Sequence, residues 1–287
     1  MATFKYALNT STIRECLSRA GEPLVLKQKI EITAAAGYDG IELWVRELDD
    51  HVRAGGSLSD VKGWLDAAGL EIVDLMGFFE WAVLDDERRK AGFEEAARNF
   101  AIAAELGCPF VAAPPFGIHN ESDPTKRPDL KTIAHYFAEL SSLAKKHDVT
   151  PLLEFWGISK QLGCLGEAIC VGAESGVEDV RLLTDVFHIY KSSGHHNGMR
   201  LLDGKSLGLF HVNDYPANPP QASVVDAQRV MPGDGVAPLS AIFQTLKDTG
   251  FKGYLSLEIF NEAEWAKPAE DVAARGLRQM RSLAEAA

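Results

Sequence analysis

Four short apolar runs in the second half of the chain each deliver one metal-competent side chain. Glu154 follows "TPLL", Asp185 ends "VRLLTD", His211 follows "LGLF" and Glu258 follows "GYLSL". Apolar neighbours should bury each of them, and an unpartnered polar group in an apolar interior costs several kcal/mol. Taken singly, each has a plain structural explanation. A strand histidine can be a hydrogen-bonded core residue, and a strand-end acid can cap a neighbouring helix. Taken together they resist that explanation, because three converging carboxylates repel strongly in a low dielectric. A divalent cation removes the conflict. Three oxygens and one nitrogen suit Mn²⁺, Co²⁺ or Mg²⁺, and Zn²⁺ also fits. So few protein ligands leave positions open for a substrate's oxygens, which is the arrangement of a catalytic site.

For these side chains to meet, their runs must lie side by side with like ends together. The chain predicts that arrangement. Apolar runs occur at "KYALN", "GIELW", "EIVDLM", "PFVAAP", "TPLLEFW", "VRLLTD", "LGLFHV" and "GYLSLEIF". They are spaced about 30 to 45 residues apart, the length of one strand and one crossover helix. Between them lie helix signals. "DDERRKAGFEEAARNFAIAAELG" opens with acids and ends at Gly107, and "PDLKTIAHYFAELSSLAKKH" opens at Pro128 and closes with bases. The junctions "AAGYDGIELW", "AAGLEIVDL", "ELGCPFVAA" and "DTGFKGYLSLE" repeat one order of helix end, glycine, turn and strand. Apolar strands alternating with amphipathic helices imply a parallel sheet covered by helices. Eight units, with no GxGxxG after the first strand, predict an α/β fold of the closed (β/α)₈ TIM-barrel kind. Residues 1–287 are expected to form one domain, and the catalytic groups to sit at the strands' C-terminal ends.

The bulk numbers exclude several classes. The 287 residues are 46% hydrophobic and carry 41 acids against 29 bases, a net charge of −12. Such a chain repels a polyanion, so nucleic acid is a poor partner. The opening "MATFKYALNT" does not read as a secretory signal. No run approaches the roughly 18 apolar residues of a membrane span. Cys16, Cys108, Cys164 and Cys170 form no CxxC pair. They are expected to be reduced thiols of a cytoplasmic protein, which leaves oxygen and nitrogen to ligate any metal.

Over essentially its whole length the chain resembles the xylose isomerase-like barrels of the sugar phosphate isomerase/epimerase family. The carrying motifs are "LLEFWG" around Glu154, "DVFH" from Asp185 to His188, "FHVND" around His211, "DAQRVMPGDG" with Arg229, and "LSLEIF" around Glu258. The opening "ALNTST" and the turn "AAGYDGIEL" are also similar to that family. The resemblance implies that Glu154, Asp185, His211 and Glu258 hold one divalent ion, and that His188 and Arg229 touch substrate oxygens. It implies an isomerase that moves a carbonyl to the adjacent carbon of a keto-inositol or related sugar through a cis-enediolate, without an organic cofactor. Glu154 and Glu258, from different strands, would form the acid/base pair.

Trp44, Phe78, Phe79, Trp81, Phe116 and Trp156 are candidates for an aromatic pocket wall, Trp156 first because it shares strand parity with Glu154. His119 is a further candidate substrate contact, whereas His195 and His196 in "SSGHHNG" are expected to face solvent. Glu42 is expected to be structural. No basic glycine-rich cradle follows strands seven and eight, so an unphosphorylated substrate is expected. The same metal site could serve a ketose 3-epimerase, a hydroxypyruvate isomerase, or a dehydratase of inosose or dehydroshikimate. A sugar-binding barrel without chemistry is a more distant alternative. A three-zinc abasic-site endonuclease is disfavoured, since strands two and three offer no histidine and Gln228 stands where one is wanted. The family also suggests a homodimer, with a small polyol or sugar as ligand and no membrane partner.

Overall fold

The computed structural model describes residues 4–287. Eight parallel strands close into a barrel in sequence order. They are β1 (Lys5–Asn9), β2 (Gly40–Trp44), β3 (Glu71–Met76), β4 (Phe110–Ala113), β5 (Thr150–Glu154), β6 (Arg181–Asp185), β7 (Leu207–Val212) and β8 (Tyr254–Leu257). The ring closes where Tyr6 of β1 pairs with Leu255 of β8. All eight predicted runs are strands. Strands buried on both faces read as continuous apolar runs, which is why they stand out.

The barrel is wrapped by α1 (Leu26–Ala36), α2 (Val45–Arg53), α3 (Leu58–Ala68), α4 (Asp86–Leu106), α5 (Leu130–Ala144), α6 (Leu165–Glu174), α7 (Val186–Ser193), α8 (Leu239–Asp248), the short α9 (Glu262–Trp265) and α10 (Ala269–Ala286). The helix signals act as predicted at α4. Asp85 accepts from the Arg88 amide at 2.9 Å, and Gly107 ends the helix at φ +73°, a conformation glycine adopts without steric cost. Helix α5 starts later than "PDLKT" suggests. The Asp129 carboxylate accepts from the Thr132 amide at 2.7 Å, making Asp129 the cap and leaving Pro128 outside.

Inside the barrel, Ala7, Val73, Ala112, Leu152, Leu183 and Leu209 make an apolar plug. Polar side chains occupy the interior beyond it. Strand register sets Asp185 beside His211 and His211 beside Ser256, so residues distant in sequence share one level. All four cysteines are free thiols. Among the described residues, no helix is long and apolar enough to cross a membrane.

Candidate active site

Asp185 answers both readings of a strand-end acid. As the last residue of β6 it caps α7, its Oδ1 accepting from the His188 amide at 2.8 Å. Its Oδ2 turns inward and accepts from Asn213 Nδ2 at 2.8 Å and from Arg229 Nη1 at 2.9 Å. One carboxylate therefore anchors a helix and faces the cavity.

His211 is wholly buried. Its Nε2 lies 2.9 Å from Glu42 Oε2, and Glu42 Oε1 is taken by the Ser256 hydroxyl. Glu42 is thus structural as expected, and its structural task is to hold this imidazole. Nδ1 points the other way, 3.1 Å from Glu258 Oε2 and 3.8 Å from Asp185 Oδ2, with no hydrogen bond of its own. Burial opposes the imidazolium, but Glu258 and Glu42 outweigh it and raise the His211 pKa well above its ordinary value.

Glu258 follows β8. Its Oε2 accepts from Arg229 Nη1 at 2.8 Å and its Oε1 lies 3.3 Å from Asn9 Nδ2. Burial alone would raise its pKa, yet His211, Arg229 and His188 hold it down at about 2. Glu154, at the end of β5, has the opposite environment. Its Oε2 is buried without a partner, and burial, with Glu258 and Asp185 adding to it against His211, pushes the carboxyl up to about 8.

Arg229 is fully buried and its guanidinium bridges Asp185 and Glu258 from one nitrogen. Asp226 holds the other nitrogen at 2.6 Å, and His188 Nε2 sits 3.2 Å from it. Burial opposes that charge, but Asp185, Asp226 and Glu258 reverse the effect and strengthen it.

Ligand atoms of Asp185, His211 and Glu258 lie within 4.8 Å of one another. The donor set suits a divalent ion. Two carboxylate oxygens face an unbonded imidazole nitrogen whose opposite nitrogen is held by a carboxylate, the usual outer partner of a metal-bound histidine. Glu154 stands outside this close triple but lines the same cavity as Glu258, with its Oε2 buried and unpartnered.

The cavity above the cluster is about 540 Å³, within the range of small-molecule sites. Glu154, Trp156, His188, Asp226, Arg229 and Glu258 line it. Trp44 and Phe78 supply further wall, as predicted, and Phe260 joins them. Phe79 and Trp81 do not. Both are buried in the core beneath, Trp81 donating to the Pro114 carbonyl at 2.7 Å. Phe116 stacks on Phe78 at 5.0 Å, behind the wall. His119 is similarly set back, packing edge-on against Trp156 at 5.2 Å and stacking with Phe116. His195 is exposed as expected. His196 is half-buried, its Nε2 3.0 Å from the Val186 carbonyl.

Asp226, Asn213 and Asn9 were not apparent as site residues. Two of them left a signal. Asn213 shares strand parity with His211, and Asp226 precedes Arg229 by three residues in "DAQRV".

Residues 30–283 match a family model described as xylose isomerase-like TIM barrel. An inosose isomerase of Bacillus velezensis is 27% identical over 256 residues, covering 86% of this chain and 87% of that protein. A 3-dehydroshikimate dehydratase of Pseudomonas aeruginosa is 28% identical over 272 residues, covering 91% of this chain but only 40% of that longer protein. Among solved structures, an IOLI protein with a bound zinc atom superposes with a TM-score of 0.88 over 99% of both chains at 22% identity.

Proposed function

We propose that this chain, which belongs to the xylose isomerase-like TIM barrel family, is a divalent-metal-dependent isomerase of a keto-inositol or related sugar. One observation carries the reading. Two buried carboxyls from different strands, Glu154 and Glu258, face one cavity beside the close cluster of Asp185, His211 and Glu258.

Moving a carbonyl to the next carbon requires taking a weakly acidic C–H proton and returning it to the neighbouring carbon through a cis-enediolate. Glu154 and Glu258 would form the acid/base pair, one taking the proton and the other returning it, with Asn9 and Arg229 orienting Glu258. Arg229 and His188 are donors at the oxygen where negative charge grows. Glu154, Asp185, His211 and Glu258 would hold the ion, Mn²⁺, Co²⁺, Mg²⁺ or Zn²⁺. When bound, it supplies Lewis acidity to adjacent carbonyl and hydroxyl oxygens. Trp156 offers a flat face to the C–H side of the ring, and His119 behind it fixes that face.

The relatives include inosose isomerases that match most of this chain, which supports the keto-inositol as substrate. Loss of water instead would need an acid at the leaving hydroxyl. Asp226, the cavity carboxyl next to the cluster, is a poor one, because Arg229 and His188 outweigh burial and hold it below its ordinary range. The protein would act as a single cytoplasmic barrel domain, or a homodimer of such domains, without an organic cofactor.

The test is turnover of a metal-reconstituted preparation in D₂O against inososes, free ketohexoses, hydroxypyruvate and dehydroshikimate, followed by NMR. Deuterium should enter the carbon adjacent to the migrating carbonyl of an inosose. A direct hydride shift, leaving that carbon unlabelled, contradicts the proton-transfer reading.

A further inference from the structure

We infer that the cavity recognises an acidic group on its substrate through Arg14 and Arg46. The inference rests on the reading of this cavity as the substrate site, and among the related sugars of that reading it favours one bearing a carboxylate or phosphate over a neutral inosose. Both arginines line the cavity. Arg14 follows the 3₁₀ turn Thr10–Ile13 that leaves β1, and Arg46 is the second residue of α2. The absence of a cationic cradle after strands seven and eight therefore said nothing about strands one and two.

Several acids near this pair are engaged elsewhere. Glu47 binds Lys29 at 2.6 Å and the Thr10 hydroxyl at 2.5 Å. Asp49 binds Arg98 at 2.8 Å, and Asp50 binds Arg53 at 2.6 Å. Arg14 Nη2 is buried with no acceptor, and among the described residues Arg46 has no ion-pair partner. The two guanidiniums act on each other. Burial lowers the pKa of Arg14, and the charge of Arg46 lowers it further, against Glu47, Glu258 and Glu15. Arg46 also stands at the positive end of a helix, where a base is unfavourable. Two arginines in one cavity wall, one with a buried Nη2 that meets no acceptor, are donors an anion can meet.

The pair is also rigidly tied to the reactive end. The Arg14 guanidinium lies over the Trp44 ring at 4.6 Å and the Phe260 ring at 5.3 Å. Trp44 Nε1 donates to Asn9 Oδ1 at 2.8 Å, and Asn9 Nδ2 reaches Glu258 Oε1 at 3.3 Å. One indole and one amide thus fix the spacing between an anion held by Arg14 and the carbon facing Glu258. A planar fork held by stacking suits the two oxygens of a carboxylate or phosphate.

Calorimetric titration of the chelator-treated protein with D-glucuronate, D-glucose 6-phosphate and D-glucose tests this without relying on turnover. At least one acid should bind about tenfold or more tighter than glucose, the ordinary worth of one charge-assisted contact. Whichever acid wins identifies carboxylate or phosphate as the source. Arg14→Gln and Arg46→Gln should each remove most of that preference, and Arg46, exposed and unpacked, tolerates its change without loss of fold. Equal binding of the three sugars, no binding of any, or an unchanged preference in Arg46→Gln overturns the inference. Isomerisation of a neutral inosose without acid preference would defeat the subsite alone, and acid preference without turnover of any keto-polyol would defeat the isomerase reading alone.

Discussion

His211 stands between two glutamates, its Nε2 2.9 Å from Glu42 Oε2 and its Nδ1 3.1 Å from Glu258 Oε2. Glu42 keeps a proton on Nε2 and so frees the Nδ1 lone pair for the cluster. Its second oxygen is held by Ser256, which prevents the carboxylate from swinging away. Glu42→Gln should therefore weaken divalent-ion binding by roughly 10- to 100-fold while the barrel still folds, the range for loss of a metal ligand's outer partner. Metal titration of chelator-treated protein measures it. An unchanged affinity would mean that His211 is not a ligand or does not need its orienter.

Glu154→Gln and Glu258→Gln keep the volume of each side chain and remove its proton chemistry. Each should lower kcat by about 10²-fold to 10⁴-fold, the ordinary contribution of a general acid or base. The two should differ in solvent exchange. The variant that loses the base should no longer admit deuterium to the substrate, and the variant that loses the acid should keep exchange at the first carbon while product does not form. Near wild-type turnover in either variant removes that residue from the acid/base pair.

The chelator-treated protein should lose stability as pH rises from about 4.5 to about 8. Glu154 has an ordinary pKa of 4.5 and is raised to about 8 in the fold, so the folded state keeps a proton that the unfolded chain has lost. Stability from that group is complete below 4.5 and is lost toward 8, with a slope near 1.4 kcal/mol per pH unit. Asp74, fully buried and raised well above its ordinary value by burial and by Glu42, acts in the same direction. Glu258 acts oppositely, since a pKa held at about 2 adds stability above 4.5 that is lost on acidification. Urea titrations across this range should show the fall, and Mn²⁺ should offset it more at pH 8 than at pH 5, because ligands must be deprotonated to bind. A fall that is the same in Glu154→Gln would mean that Glu154 is not its source.

The barrel and the polar groups at its mouth could be read from the chain for one physical reason. Buried parallel strands are continuous apolar runs, and a carboxylate or imidazole ending such a run is conspicuous. Asp185 and His211 each belong to one strand, so local pattern places them. Arg229 is different. It reaches Asp185 across 44 residues and Glu258 across 29 from a loop with no period. Phe78, Phe79 and Trp81 show the same limit. They occupy one irregular segment after β3, where nothing in the sequence tells which ring turns to the cavity and which to the core. Arg14 and Arg46 each have an acid beside them in sequence, and only the folded chain puts both arginines in one cavity wall.

The loop that carries Arg229 is held by one carboxylate. Asp214 accepts amide hydrogens from Tyr215 and Ala237 on Oδ1, both at 2.8 Å, and from Gly233 and Gly235 on Oδ2, at 2.9 and 3.1 Å. A short bridge from Asp214 to Val230 fixes the same loop next to Arg229. Burial raises the Asp214 pKa against these four donors, so the amides must do all the work of holding the charge. Asp214→Asn supplies an amide nitrogen that cannot accept, leaving at least one buried N–H unpaired at a cost of about 1–3 kcal/mol. Arg229 would then be less firmly placed between Asp185 and Glu258. The variant should unfold at lower urea concentration and show a raised KM, with metal affinity changed less than in Glu42→Gln. If its KM matches wild type while stability falls, the loop is anchored for folding alone, and Arg229 takes its position from Asp226 and Asp185.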